Sequence, residues 1–203
     1  IDKAGKWGGT GVTTSGPANV NAPSQVASEI VDWKDPINGV RTKAAGEQLV
    51  DADALYATWT DYTRVDGAQG AKPELIAKVI YESGETCDWL QSYGFEFTPA
   101  VGFVGGKWAI FSSYVGKKQL TESFFAKAYD RYTEMGGQYL LETEATELIM
   151  QDGKAVGVRA IKADGTSVTI NAKAVILCTG GFAGSDEMQE KYIGQAYKLF
   201  GMS

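Results

Sequence analysis

The residues with the most chemical potential stand at the start of the chain. Asp2 is followed by a stretch holding Gly5, Gly8, Gly9, Gly11 and Gly16. A carboxylate at the C-terminal end of a strand can accept hydrogen bonds from a ribose diol. Glycines beside it let backbone N–H groups approach phosphate oxygens with no Cβ in the way. The same residues also read as a surface aspartate beside a flexible loop. Gly9-x-Gly11-x-x-Thr14 nearly reproduces a dinucleotide fingerprint, but that fingerprint needs an apolar strand directly before it. Residues 2–7 are polar, so an opening βα turn would have to lie upstream of Asp2.

A second candidate lies at residues 174–182. Ala174-Val175-Ile176-Leu177-Cys178 is an apolar run, the pattern of a strand buried on both faces. Thr179-Gly180-Gly181 turns out of it, which would put bare backbone at the carboxyl edge of a sheet, where open α/β sheets bind ligands. A glycine-rich helix entry is the other reading. The arginines are Arg41, Arg64, Arg131 and Arg159, and any of them can clamp a carboxylate; Arg131 and Arg159 are read as solvated. Tyr114, after Ser112-Ser113, is a possible proton donor and, more simply, a packing residue. Cys87 and Cys178 fall in apolar segments and read as inert core thiols. The tryptophans at 7, 33, 59, 89 and 108 read as core packing, with Trp7 set apart because it neighbours the glycine loop.

The composition narrows the chemistry. The chain has no histidine and two cysteines, which removes Ser-His-Asp catalysis, histidine-ligated metals and a four-cysteine zinc site. The formal charge of −6 over 203 residues repels phosphate backbones and sets nucleic acid aside as a partner. The longest apolar run is far shorter than a membrane span. The hydrophobic share of 44% and charged share of 22% are those of a globular protein.

The elements that must position these residues follow from periodicity. Residues 46–62 carry an approximate helical stripe, and the rest of 17–72 is irregular with short helical stretches. Pro73 opens a helix over 73–93, with Gly84 inside it as a weak point. Residues 95–117 are loop-like. A second helix runs over about 118–135 and stops at Gly136-Gly137. The period then becomes strand-like: 138–142, 145–151, 154–163 and 167–171. Asp152-Gly153 and Asp164-Gly165 are hairpin dipeptides, and the last three strands form a meander. Ser185 caps a final helix over about 185–192, with Asp186 and Glu187 in its first turn.

Together these pieces resemble the flavoprotein subunit family of fumarate reductase and succinate dehydrogenase, and within it the soluble FAD-dependent reductases and 3-ketosteroid dehydrogenases. The resemblance rests on Asp2-Lys3, Gly8-Gly9-Thr10 and Ser15-Gly16, on Asp88-Trp89-Leu90-Gln91-Ser92-Tyr93-Gly94, and on the strand that ends in Cys178-Thr179-Gly180-Gly181-Phe182, followed by Glu187-Met188. Thr10 stands where Asn is frequent in the family, and Pro17 where a second Gly is frequent.

The resemblance implies an α/β fold: a partial, Rossmann-like FAD-binding domain with an inserted β-meander. It implies non-covalent FAD, with Asp2 on the adenosine ribose and Lys3 and Gly9 in the same cofactor-binding motif. Thr10, Ser15 and Gly16 would meet the pyrophosphate and ribityl region, Ala145 the adenine, and Thr179 and Gly180 the adenosine-diphosphate half. No residue of this chain is assigned a catalytic role. The implied reaction is reduction of an activated C=C bond in a small-molecule substrate by hydride transfer. A ketosteroid-type dehydrogenase, or a fragment that binds no flavin in isolation, are the alternatives. Residues 1–203 are expected to be one incomplete FAD-binding domain, lacking the opening glycine turn and a substrate-capping domain. Cytoplasmic and exported locations both stay open, as does the electron donor.

Overall fold

In the computed structural model, which describes residues 1–64, 71–103, 106–115 and 120–194 and the side chains of all of these but 120–123, the chain divides into two compact units. One is Gly11–Gly137; the other joins Ile1–Thr10 to Gln138–Ser203.

The Gly11–Gly137 unit begins with a short helix α1 (Pro23–Ala27), opened by its proline. A hairpin of β1 (Ile30–Asp35) and β2 (Gly39–Lys43) follows. The irregular reading of 17–72 missed this hairpin. Its signal is Asn38-Gly39, a turn dipeptide whose Gly39 has φ +78. Helix α2 (Ala52–Tyr62) starts later than the stripe from Gly46 suggested, because the Asp51 carboxylate accepts the Ala54 N–H at 3.0 Å and sets the cap there.

Helix α3 (Pro73–Ser92) matches its expected span. Gly84 is no weak point in it: a Cβ there would lie 2.4 Å from the Val20 carbonyl oxygen and 2.7 Å from the Ala22 nitrogen. Two short strands, β3 (Val101–Gly102) and β4 (Ala109–Phe111), pair inside the segment read as a loop. Helix α4 (Leu120–Glu134) ends the unit. Gly105, Gly116 and residues 118–119, which the expected loop and helix included, lie outside the described residues.

Three apolar clusters hold this unit. Val20, Val50, Leu55, Ile76 and Ile80 join α2 to α3. Trp33, Leu49, Ala100 and Ala109 anchor the hairpin, and the Trp33 Nε1–H donates to the Ala100 carbonyl at 2.6 Å. Cys87, Phe95 and Phe97 form the third, with Tyr114 and Phe124 against them. Burial raises the Cys87 thiol to about 11, so it is the inert core thiol the sequence suggested. Trp89, by contrast, is 58% exposed and not core.

The other unit is built on a three-stranded antiparallel sheet in the order β5 (Thr143–Gln151), β6 (Lys154–Lys162), β7 (Ser167–Asn171). The strands expected at 138–142 and 145–151 resolve into β5 alone. Asp152 and Gly153 take φ +49 and +75, the pair of left-handed residues a tight hairpin needs. Helix α5 (Asp186–Tyr192) is capped as expected by Ser185, whose Oγ accepts the Met188 N–H at 3.3 Å.

Residues 174–178 are the main correction. They form no strand, Ile176 is 86% exposed and Leu177 65%, and Cys178 is exposed rather than buried. An apolar run becomes a strand only when a neighbour takes up its N–H and C=O groups. The last ladder-like bond is Ala172 N–H to the Val156 carbonyl at 2.9 Å, and no described residue pairs with the segment beyond it.

Candidate functional site

Asp2 is held at three points within its unit. Its N–H donates to the Leu140 carbonyl and its carbonyl accepts the Thr143 N–H, both at 2.9 Å. Its Oδ1 accepts the Ala4 N–H at 2.9 Å, an Asx turn that fixes the carboxylate. Glu142 N–H donates to the Ala4 carbonyl at 3.0 Å, so residues 2–4 run against 140–143, the approach to β5. Among the described residues no hydrogen bond is seen to Oδ2. The Asx turn orients the carboxylate and leaves Oδ2 able to accept from a hydroxyl donor.

The resemblance implied that Asp2 and Ala145 meet adjoining parts of one cofactor, but no local pattern tied them together across 143 positions of the numbering. The structure places Asp2 on Thr143, two positions before Ala145. Ala145 is exposed on β5 opposite Ala160, and the register between Ala145 and Glu147 is irregular. Such a bulge releases backbone groups from the ladder at a sheet rim. Thr146 closes it by donating to the Arg159 carbonyl at 3.2 Å.

Lys3, Gly9 and Thr10 are exposed in the same unit. Gly8 and Gly9 have φ +103 and +48, conformations that disfavour side chains. A Cβ at Gly9 would meet nothing within 4 Å, and the same holds at Gly180, whose φ is +77. Thr179 and Gly180 are both exposed. They lead into a turn braced by Gln189, whose Nε2 donates to the Ala183 carbonyl at 2.6 Å.

Ser15 and Gly16 belong to the other unit, and here the structure adds a role the sequence could not. Residues 15–19 run alongside 110–114. Tyr114 N–H donates to the Ser15 carbonyl at 3.2 Å, Ser112 N–H to the Pro17 carbonyl at 3.3 Å, and Asn19 N–H to the Ile110 carbonyl at 2.8 Å. A Cβ on Gly16 would lie 1.8 Å from the Ser112 carbonyl oxygen. Gly16 is therefore glycine because the backbone of 112–113 occupies the space. Asn19, wholly buried, donates to Ser112 Oγ at 2.8 Å and accepts the Ala22 N–H at 3.2 Å. These partners lie over 90 residues apart in the chain, so no local pattern announced them.

The arginines divide as follows. Arg131 and Arg159 are about half-exposed or more and pair with Glu134 and Glu147, as expected. Arg41 clamps carboxylates of its own chain: Nε to Asp35 at 2.6 Å and Nη2 to Glu47 at 2.6 Å, with the guanidinium 4.8 Å from the Trp33 ring centroid. Burial alone would raise the Asp35 carboxyl, but hydrogen bonds from Asn38, Arg41 and the Ile37 N–H outweigh it and hold the group well below the usual range. Beside it Lys43 is wholly buried, its Nζ donating to the carbonyls of Val26, Ser28 and Ala44 at 3.0, 2.8 and 2.7 Å. This ionic group is structural.

An aspartate fixed at the approach to a strand and open left-handed glycines in one unit are features compatible with the class of nucleotide-cofactor binding proteins. The particular family follows from comparison. The FAD binding domain family matches residues 42–200, and the chain belongs to it. Ala145, Thr179 and Gly180 lie within that match; the residues from Asp2 to Gly16 precede it.

NADH:acrylate oxidoreductase of Vibrio harveyi is 32% identical over 122 residues, 59% of this chain and 12% of that protein. NADH:fumarate oxidoreductase of Klebsiella pneumoniae (strain 342) is 22% identical over 202 residues, 91% of this chain and 21% of that protein. The chain thus spans about a fifth or less of the length of these curated relatives. Two solved structures share its fold at 19% identity. They are the open conformation of a flavocytochrome c3 fumarate reductase (TM-score 0.60, 97% of this chain, 31% of that one) and 3-ketosteroid-delta4-(5alpha)-dehydrogenase from Rhodococcus jostii RHA1 in complex with 4-androstene-3,17-dione (TM-score 0.63, 98% and 43%).

The residues present fit FAD. The oriented Asp2 carboxylate matches a ribose diol, and open positive-φ backbone at Gly9 and Gly180 matches a group that must come close to the main chain. No group of His, Cys, Asp or Glu among the described residues is arranged to hold a metal ion, and no helix among them is long and apolar enough to cross a membrane.

Proposed function

We propose that this chain is the FAD-binding segment of a flavin-dependent oxidoreductase that reduces an activated C=C bond in a small molecule, within a partial Rossmann-like domain that carries β5–β7 as an inserted meander. The observation that carries the reading is Asp2. Its carboxylate is locked by Ala4, and its backbone is tied to the approach of β5. Support comes from the family match and from the printed activities of the two sequence relatives, which both name an unsaturated acid. That agreement favours reduction over the steroid-dehydrogenase alternative, which rests on a shared fold.

FAD, when bound, supplies the hydride chemistry. The chain's own residues bind and orient. Asp2 accepts hydrogen bonds from the adenosine ribose through Oδ2. Ala145 presents the backbone of the β5 bulge to the adenine. Gly9, Thr10, Thr179 and Gly180 offer main-chain and hydroxyl donors to the pyrophosphate, with Lys3 nearby in sequence to offset its charge. Ser15 and Gly16 face the ribityl region. The chain has no histidine, so no histidyl-flavin bond forms within it, and the FAD held by this segment is taken as non-covalent.

The test is Asp2→Ala in the full flavoprotein, read as FAD affinity by flavin fluorescence. A hydrogen bond to a charged group is worth about 1.5–3 kcal/mol, so the Kd should rise about 10- to 150-fold. Asp2→Asn should fall between the two. An unchanged Kd in Asp2→Ala would overturn the ribose assignment.

A further inference from the structure

The segment 11–16 is held at almost every residue by groups from 112–125. Gly11 sits on the Phe125 ring, where a Cβ would come within 2.7 Å of Cζ. The Ser15 carbonyl takes the Tyr114 N–H, and Gly16 lies against the Ser112 carbonyl. One hydrogen bond in this set joins two side chains: the Tyr114 hydroxyl is hydrogen-bonded to the Thr14 side chain.

Thr14 Oγ1 also donates to the Gly11 carbonyl at 3.0 Å, and the Thr14 N–H donates to the same carbonyl at 3.2 Å. Thr14 thus links the Tyr114 hydroxyl to the Gly11 carbonyl and closes the turn between Gly11 and Thr14. The Tyr114 ring is itself fixed, with centroids 5.7 Å from Phe97 and 4.2 Å from Phe124. A rigid aromatic body therefore delivers one hydroxyl to the loop.

We propose that Tyr114 is a positioning residue for FAD: its hydroxyl holds the turn of residues 11–14, and through it the backbone of Ser15 and Gly16, in the conformation that receives the cofactor. This rests on the FAD reading above. It assigns Tyr114 no proton transfer and no contact with substrate. Preorganisation of this kind cuts the ordering cost at binding, so its loss is read in affinity.

Tyr114→Phe keeps the ring and its packing and removes only the hydroxyl. Thr14→Val removes the other end of the same bond. In the flavin-free full-length protein, amide hydrogen exchange should quicken in a peptide covering residues 11–16 for both variants, with the melting temperature essentially that of the wild type. FAD Kd should rise about fivefold in each, the effect of one ordinary hydrogen bond. The double variant should be no worse than Thr14→Val alone, because that substitution already removes the Tyr114 contact together with the Thr14–Gly11 bond. Unchanged exchange over 11–16 in Tyr114→Phe overturns the latch. Faster exchange with unchanged Kd overturns its role toward FAD. Asp2→Ala separates the two ideas: if it too leaves the Kd unchanged, the FAD reading has failed; if it weakens binding while Tyr114→Phe does not, the positioning role alone has failed.

Discussion

At the residue scale, the chain spends its strongest ionic interactions on its own hairpin, not on the residues proposed to meet the cofactor. Asp35 has a side chain 5% exposed and bonded to Arg41, Asn38 and Ile37. Its folded pKa lies below that of the unfolded chain, which is about 3.9 for Asp. The stability it contributes is therefore fully present above pH of about 4 and is lost as pH falls through the lower, folded value. Asp35→Asn should cost about 2–4 kcal/mol at neutral pH, since it takes away one of Arg41's two carboxylate partners and breaks a mostly buried pair. The difference from wild type should shrink as pH drops below about 4, because the wild type then loses the same interaction. Urea denaturation at neutral pH and at pH 3 checks this; equal differences at both would overturn it. None of this was legible in the sequence, where nothing set Arg41 apart from Arg64 as a carboxylate clamp. What distinguishes it is proximity to Asp35 and Glu47 across a hairpin that local pattern did not reveal. Asp2 stood out in the sequence because its type and its glycine neighbours suggest chemistry. Its tie to Thr143 was not, because that contact joins distant parts of the chain.

At the element scale, long periodic segments were legible and short paired ones were not. Helix α3 and the β5–β6–β7 meander carry their own signals, a proline at the start in one and Asp-Gly turns in the other. Strands β3 and β4 span two and three residues and exist because of each other. The run at 174–178 failed in the opposite sense: its composition was right for a strand, but pairing decides, and no described strand pairs with it. Gly84 shows how packing reverses a propensity argument. Alanine in a helix interior gains up to about 1 kcal/mol over glycine. The added Cβ at position 84 would press on the rigid backbone of residues 20–22 at 2.4–2.9 Å, and overpacking costs about 1–3 kcal/mol. Gly84→Ala should therefore lose about 1–2 kcal/mol net in a thermal melt. A gain would mean that residues 20–22 give way without cost.

At the scale of the whole molecule, the two units are stabilised unequally. Among the described residues, thirteen of the fourteen buried core apolar residues lie in 11–137 and one, Ala160, lies in the other unit. That second unit leaves Met150, Ile161, Ile176 and Leu177 at 45–86% exposure, so its sheet relies more on backbone ladders than on apolar burial. Regions with few buried contacts open at lower free energy than the core. In the flavin-free protein, amides of β6 should exchange faster than the central amides of α3, by an opening free energy lower by about 2 kcal/mol or more. FAD binds the folded form, and at 100 times its Kd it adds about 2.7 kcal/mol. If Asp2 and Ala145 hold the adenosine half, that added protection concentrates at the head of β5, where both residues are anchored, and the gap between the units narrows. Hydrogen exchange with and without FAD reads both effects together. Equal protection of β6 and α3 without FAD would overturn the unequal division of stability. Protection by FAD that bypasses residues 143–146 would instead move the adenosine site away from β5.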